Sequence, residues 1–100
     1  MPKITVKVPH NQEPKEVMAK TRSAIEKTVG DFQGQGLNVD WRDTSADFSF
    51  TSMGFSIKGD VQVTETEALV HVELPFAALM FKDKAEKAIT KNLTRAIEPG

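Results

Sequence analysis

The chain predicts a two-layer α+β sandwich of order β-α-β-β-β-β-α, with two helices on one face of a five-stranded antiparallel sheet. Three observations carry that expectation. Apolar and polar residues alternate in five separate runs, which is the period of a half-buried strand. Two longer stretches repeat instead at about 100° per residue, the period of an amphipathic helix. The last four strand runs are separated only by short turn segments, so they must form an antiparallel meander.

The elements follow in order. Ile4, Val6 and Val8 alternate with Lys3, Thr5 and Lys7, and Pro9 ends this first strand because it has no N–H for the ladder. Pro14 suits the first turn of a helix, where its missing donor is not needed. From there to about Phe32, one face gathers Val17, Met18, Thr21, Ala24, Ile25, Thr28, Val29 and Phe32. Glu16–Lys20, Arg22–Glu26 and Lys27–Asp31 are i,i+4 pairs on the exposed side. Gly30, Gly34 and Gly36 then break the pattern.

Leu37, Val39 and Trp41 alternate with Asn38, Asp40 and Arg42, and Asp43-Thr44-Ser45 has turn chemistry. Phe48 and Phe50 alternate with Asp47, Ser49 and Thr51, and Ser52-Met53-Gly54 turns the chain again. Phe55, Ile57, Val61 and Val63 share a parity, with Gly59 between them as an expected bend or bulge. After the turn Thr64–Glu67, the residues Val70, Val72, Leu74 and Phe76 take the inward parity of a last strand. The closing helix has an apolar face of Phe81, Ala85, Ala88, Ile89, Asn92, Leu93 and Ala96. Each strand has one apolar face only, so the sheet is covered on one side. The first strand is expected to pair with the last, in the spatial order 1-5-4-3-2. This is a small helix-grip or TATA-binding-protein-like arrangement, by analogy.

Composition bounds the function. The chain has 100 residues, 39% of them hydrophobic, which fits one α+β domain over residues 1–100. The net charge of -1 gives no bulk attraction to nucleic acid. The absence of cysteine removes disulfides and thiol chemistry. The opening MPKITVKVPH has no signal-peptide core, and no run approaches the roughly 20 apolar residues of a membrane span. A soluble cytoplasmic domain is the expectation.

Candidate chemistry is sparse. A metal site needs convergent ligands, and only His10 and His71 are available as histidines. His71 shares the polar sheet face with Glu73, and Lys58 or Asp60 is expected across from it. That is an acid–base pair or an ordinary cross-strand contact. His10 reads as a loop residue that helps cap the first helix. The polar face has no aromatic residues for stacking on single-stranded nucleic acid, and reads as solvated or as a dimer contact. Gly34-Gln35-Gly36 precedes a strand, the wrong order for a nucleotide loop. No serine stands in a nucleophile elbow. The expectation is a protein that is not an enzyme and takes no cofactor or metal.

Two features stand out. The stretch Leu74-Pro75-Phe76-Ala77-Ala78-Leu79-Met80-Phe81 carries no charge, in a chain where 27% of residues are charged. In the first turn of the last helix, some of Leu79, Met80 and Phe81 should stay exposed. Phe76, Leu79, Met80 and Phe81 are therefore either buried within the domain, under the first helix, or hydrophobic contacts for a dimer partner or an apolar surface. Beside them Lys84, Lys87, Lys91 and Arg95 form a basic stripe. It is either a solvated helix face or a contact for an anionic surface.

The opening KITVKVPH, the strand near VDWR, the pair FSIKGDVQV and ALVHVELPF, and the lysine-rich last helix resemble the polyhydroxyalkanoic acid system protein family. The stretches DFQGQG and DFSFTSMGF are less typical of it. The resemblance implies an accessory role at polyester storage granules, with the granule surface or a granule protein as partner. Two alternatives stay open. One is a carrier holding an acyl chain between sheet and helices, lined by Trp41, Phe48, Phe50, Phe55 and Phe76, although a filled core is expected in so short a chain. The other is a homodimeric structural module joined at an open sheet edge or at the apolar rim.

Overall fold

A computed structural model describes residues 3–98. The strands are β1 (Lys3–Pro9), β2 (Gln35–Trp41), β3 (Ser45–Ser52), β4 (Phe55–Val63) and β5 (Glu67–Glu73). The helices are α1 (Pro14–Asp31) and α2 (Lys82–Ile97), and a 3₁₀ segment, Phe76–Phe81, leads into α2. The sheet is antiparallel in the order β1-β5-β4-β3-β2, as the sequence predicts. Both helices pack against one face and against each other, α1 over β3, β4 and β5 and α2 along β1.

The strand alternation holds. Ile4, Val6 and Val8 are buried, and so are Val61 and Val63 of β4 and Ala68, Val70 and Val72 of β5. The buried residues of α1 are Val17, Met18, Thr21, Ala24, Ile25, Thr28 and Val29, the face read from its periodicity. Phe32, just past the helix, is half-buried. A Schellman pattern stops α1: Gly34 donates to the Val29 carbonyl and Gln33, at φ 54°, donates to that of Gly30. A Cβ on Gly34 would stand 2.5 Å from Val29 Cγ1, so the chain turns back only because that side chain is missing.

Three expectations need correction. Gly59 makes no bulge, because the register runs unbroken through it to β3 and β5. The register shift lies in β2, between Gln35 and Asn38, where Gly36 has a φ of 66°. The strand β5 stops at Glu73; Pro75 cannot donate to a ladder, and Ala78 N–H bonds to the Pro75 carbonyl to start the 3₁₀ segment. Phe76 therefore leaves the inward parity and is 71% exposed. Finally, His10 does not cap α1, whose N-cap residue Glu13 has no side-chain cap bond. His10 Nδ1 accepts from Gln12 N–H (3.0 Å), which leaves Nε2–H to donate to the Thr64 carbonyl (2.8 Å).

Of the three i,i+4 pairs expected on α1, two form. Arg22–Glu26 closes at 3.2 Å and Lys27–Asp31 at 3.4 Å. Lys20 instead donates to the Gln12 side chain, which in turn donates to the Ile97 carbonyl. These contacts tie the β1–α1 loop, the β4–β5 turn and the last turn of α2 together at one end of the molecule.

Candidate functional site

The opposite end is built differently. Met53 and Gly54 both have positive φ, 53° and 82°, and form the two-residue turn that joins Ser52 to Phe55. Because β5 runs antiparallel to β4, its last residues and the 3₁₀ segment return to the same end. The last turn of α1 arrives there too, with Ser52 Oγ donating to the Phe32 carbonyl at 2.6 Å. Among the described residues, the large apolar side chains that remain exposed all lie at this end: Met53 at 61%, Phe76 at 71%, Leu79 at 49% and Met80 at 81%. Phe81 is half-buried, while Leu74 and Ala78 turn inward and are buried. So three of the four predicted hydrophobic contacts, Phe76, Leu79 and Met80, are exposed, and Phe81 sits between surface and core.

Met53 is the residue that sequence reasoning missed. The signal was present: a type I′ turn favours Asn or Asp at this position, and a methionine there presents an apolar side chain at a strained backbone.

Behind this end lies a cavity of about 70 Å³ between sheet and helices. Ala24, Ile25 and Val29 of α1, Phe48 and Phe50 of β3, Phe55 of β4, and Ala85 and Ile89 of α2 are among its walls. Met53 and Phe81 also line it, so it reaches the surface at the apolar end. The core is thus not wholly filled, contrary to expectation. Phe48, Phe50 and Phe55 line the space as expected of a carrier, but Trp41 and Phe76 do not. Trp41 is on the edge strand, with the Arg22 guanidinium 5.0 Å from its ring centroid.

The cavity offers no free polar group. Of its two hydroxyls, Ser52 donates to Phe32 and Thr28 donates to the Ala24 carbonyl while accepting from Asn92 Nδ2 at 2.9 Å. Asn92, read as part of an apolar face, is buried and also donates to Asp31 Oδ2 at 3.2 Å. That bond holds the Asp31 carboxyl below the usual carboxylate range; partial desolvation opposes it, and Lys27 and Lys91 nearby assist.

Lys84, Lys87, Lys91 and Arg95 are all exposed along α2, and among the described residues none of them forms an ion pair. The stripe begins one helical turn after Met80, so it adjoins the apolar end. On the polar sheet face, Asp60 does stand opposite His71 and Lys58 opposite Glu73. His71 Nδ1 meets Thr5 Oγ1 at 3.2 Å rather than a carboxylate. Asp40, Asp47 and Asp60 face one another in one rank across β2, β3 and β4, with Arg42 bridging the first two. Among the described residues no cluster of three or more side chains is placed to hold a metal, and no helix is long and apolar enough to cross a membrane.

The layout is that of a helix-grip α+β protein with an apolar cavity open at one end. The same fold occurs in the di-domain ARO/CYC BexL from the BE-7585A biosynthetic pathway, at 10% identity and a TM-score of 0.58. That match covers 98% of this chain and 50% of the other, so the chain spans half of that protein's length. Looser likenesses are TTHA0849 from Thermus thermophilus (12% identity, 95% and 91% of the two chains, TM-score 0.42) and Ara h 8.0201 (11%, 96% and 97%, 0.46). No curated protein matches the sequence. The chain belongs to the family described as "Putative polyhydroxyalkanoic acid system protein", which matches residues 4–97 and so spans the two stretches read as less typical.

Proposed function

We propose that this chain is a non-enzymatic accessory protein of polyhydroxyalkanoate storage that docks on the hydrophobic granule surface in the cytoplasm through its apolar end. The observation that carries this reading is the gathering of Met53, Phe76, Leu79 and Met80, all exposed, at one end. Family membership supplies the polyester as the surface to be met.

The magnitudes favour reversible docking. Fully burying a side chain of this size contributes about 1.5–3 kcal/mol. Allowing for partial exposure, the four together contribute about 4–8 kcal/mol, at the low end of the cost of association. The stripe of Lys84, Lys87, Lys91 and Arg95 adds affinity only where the surface carries negative charge, and that part is screened by salt.

Cosedimentation with purified granules tests the reading. Wild type is expected to pellet with granules, with moderate salt weakening but not abolishing the effect. A Phe76→Ser/Met80→Ser variant, whose changes are at exposed sites and should leave the melting temperature unaltered, is expected to stay in the supernatant. Equal pelleting of both proteins, or of neither, would overturn the proposal.

A further inference from the structure

We propose that the cavity admits the end of a neutral, unbranched alkyl chain, about three carbons deep, with the polar end of the molecule left at the mouth beside Met53 and Phe81. The inference extends the docking proposal but does not require it: the chain is either a free ester or alcohol, or a side chain standing out from the polyester itself.

Three features carry it. First, the size is selective. An apolar cavity of about 150 Å³ takes a six-carbon ring, so one of about 70 Å³ takes roughly half as many carbons. Second, the chemistry is selective. No charged side chain lines the space, and both hydroxyls in its wall spend their hydrogens on backbone carbonyls. A carboxylate drawn inside would find no donor and no cation, and water would find no partners, so an apolar space of this kind stays dry. Third, the place is selective. The cavity reaches the surface at the end that gathers Met53, Phe76, Leu79 and Met80. An alkyl chain entering there passes from one apolar surface to another without crossing a polar rim.

The test is methyl-resolved NMR of the whole protein against a series of methyl esters, from acetate to hexanoate. The expected result is that methyls of Ala24, Val29, Ala85 and Ile89 shift, while those of Val8 and Ala68 at the far end do not. Affinity should tighten about fourfold per added methylene until about three carbons are inside, and then level off. The butyrate anion should bind more weakly than methyl butyrate. A filled variant, Ala24→Leu, should fold with a melting temperature at or above wild type and lose the shifts; Ala78→Leu is the second choice if it does not fold. No shifts up to the solubility limit, shifts spread evenly over both ends, or equal binding of the anion would each overturn the proposal.

The source of the chain is read separately from granule cosedimentation of Ala24→Leu, which keeps the exposed apolar end. Weakened pelleting assigns the cavity to the polymer's own side chains. Unchanged pelleting, together with ester binding, assigns it to a free ligand. Failure of the granule reading alone would leave the ester titration standing.

Discussion

Gly59 sits mid-strand directly opposite Phe48, and the missing side chain leaves room for the ring. A Cβ there would be 2.3 Å from Phe48 Cζ and 2.5 Å from the His71 carbonyl oxygen. The ring could shift, but the backbone oxygen cannot without breaking the ladder. Gly59→Ala is therefore expected to cost about 2–3 kcal/mol, a fall of roughly 10 °C or more in melting temperature for a domain of this size. Gly30→Ala, which has nothing within 4 Å of the added carbon, should be neutral or stabilising by up to about 1 kcal/mol. Equal effects at the two sites in a thermal melt would contradict this account. The sequence marked Gly59 as an interruption of the pattern but could not say of what kind. A bulge and a space for an aromatic partner leave the same local signal, and the partner lies on another strand.

At the scale of elements, the polar join between the helices is the least expected feature. Periodicity found the buried face of α1 in full, and placed Asn92 on the buried face of α2 without a reason for it. Its partners, Thr28 and Asp31, are more than 60 residues away in sequence, and no local pattern reports them. The join has a pH consequence. Asp31 has a folded-state pKa below that of the unfolded chain, so its contribution is fully present above the unfolded value. It is lost as the pH falls from the unfolded value, about 3.9, through the lower folded one. Urea midpoints should show wild type more stable than Asp31→Asn at pH 7, with the gap closing towards pH 3. A gap that is constant with pH would mean that Asp31 acts by shape and not by charge. The turn at Pro75 belongs to the same scale. The alternation in sequence continued through Phe76, and the lack of a donor at Pro75 ended the strand three residues sooner, at Glu73.

At the scale of the whole molecule, fold class and strand order were legible because five alternating runs and two helical ones leave few topologies. The apolar end was legible in part, through the uncharged stretch around Leu79 and Met80. Met53 joins that end only through the path of the chain, and the cavity is what packing leaves over, a quantity no single residue encodes. The two ends of the molecule are held by different forces. One is tied by hydrogen bonds among His10, Gln12, Lys20, Thr64 and Ile97, and the other presents bare hydrocarbon. Such a body should adsorb at an oil–water boundary and lower its tension, and Phe76→Ser/Met80→Ser should do so far less; equal tension curves for the two would refute this. Under the proposed docking the domain would act as a folded surfactant: its greasy pole would enter the particle, and the hydrogen-bonded pole would become the particle's new outer skin, which would keep one droplet from merging with the next.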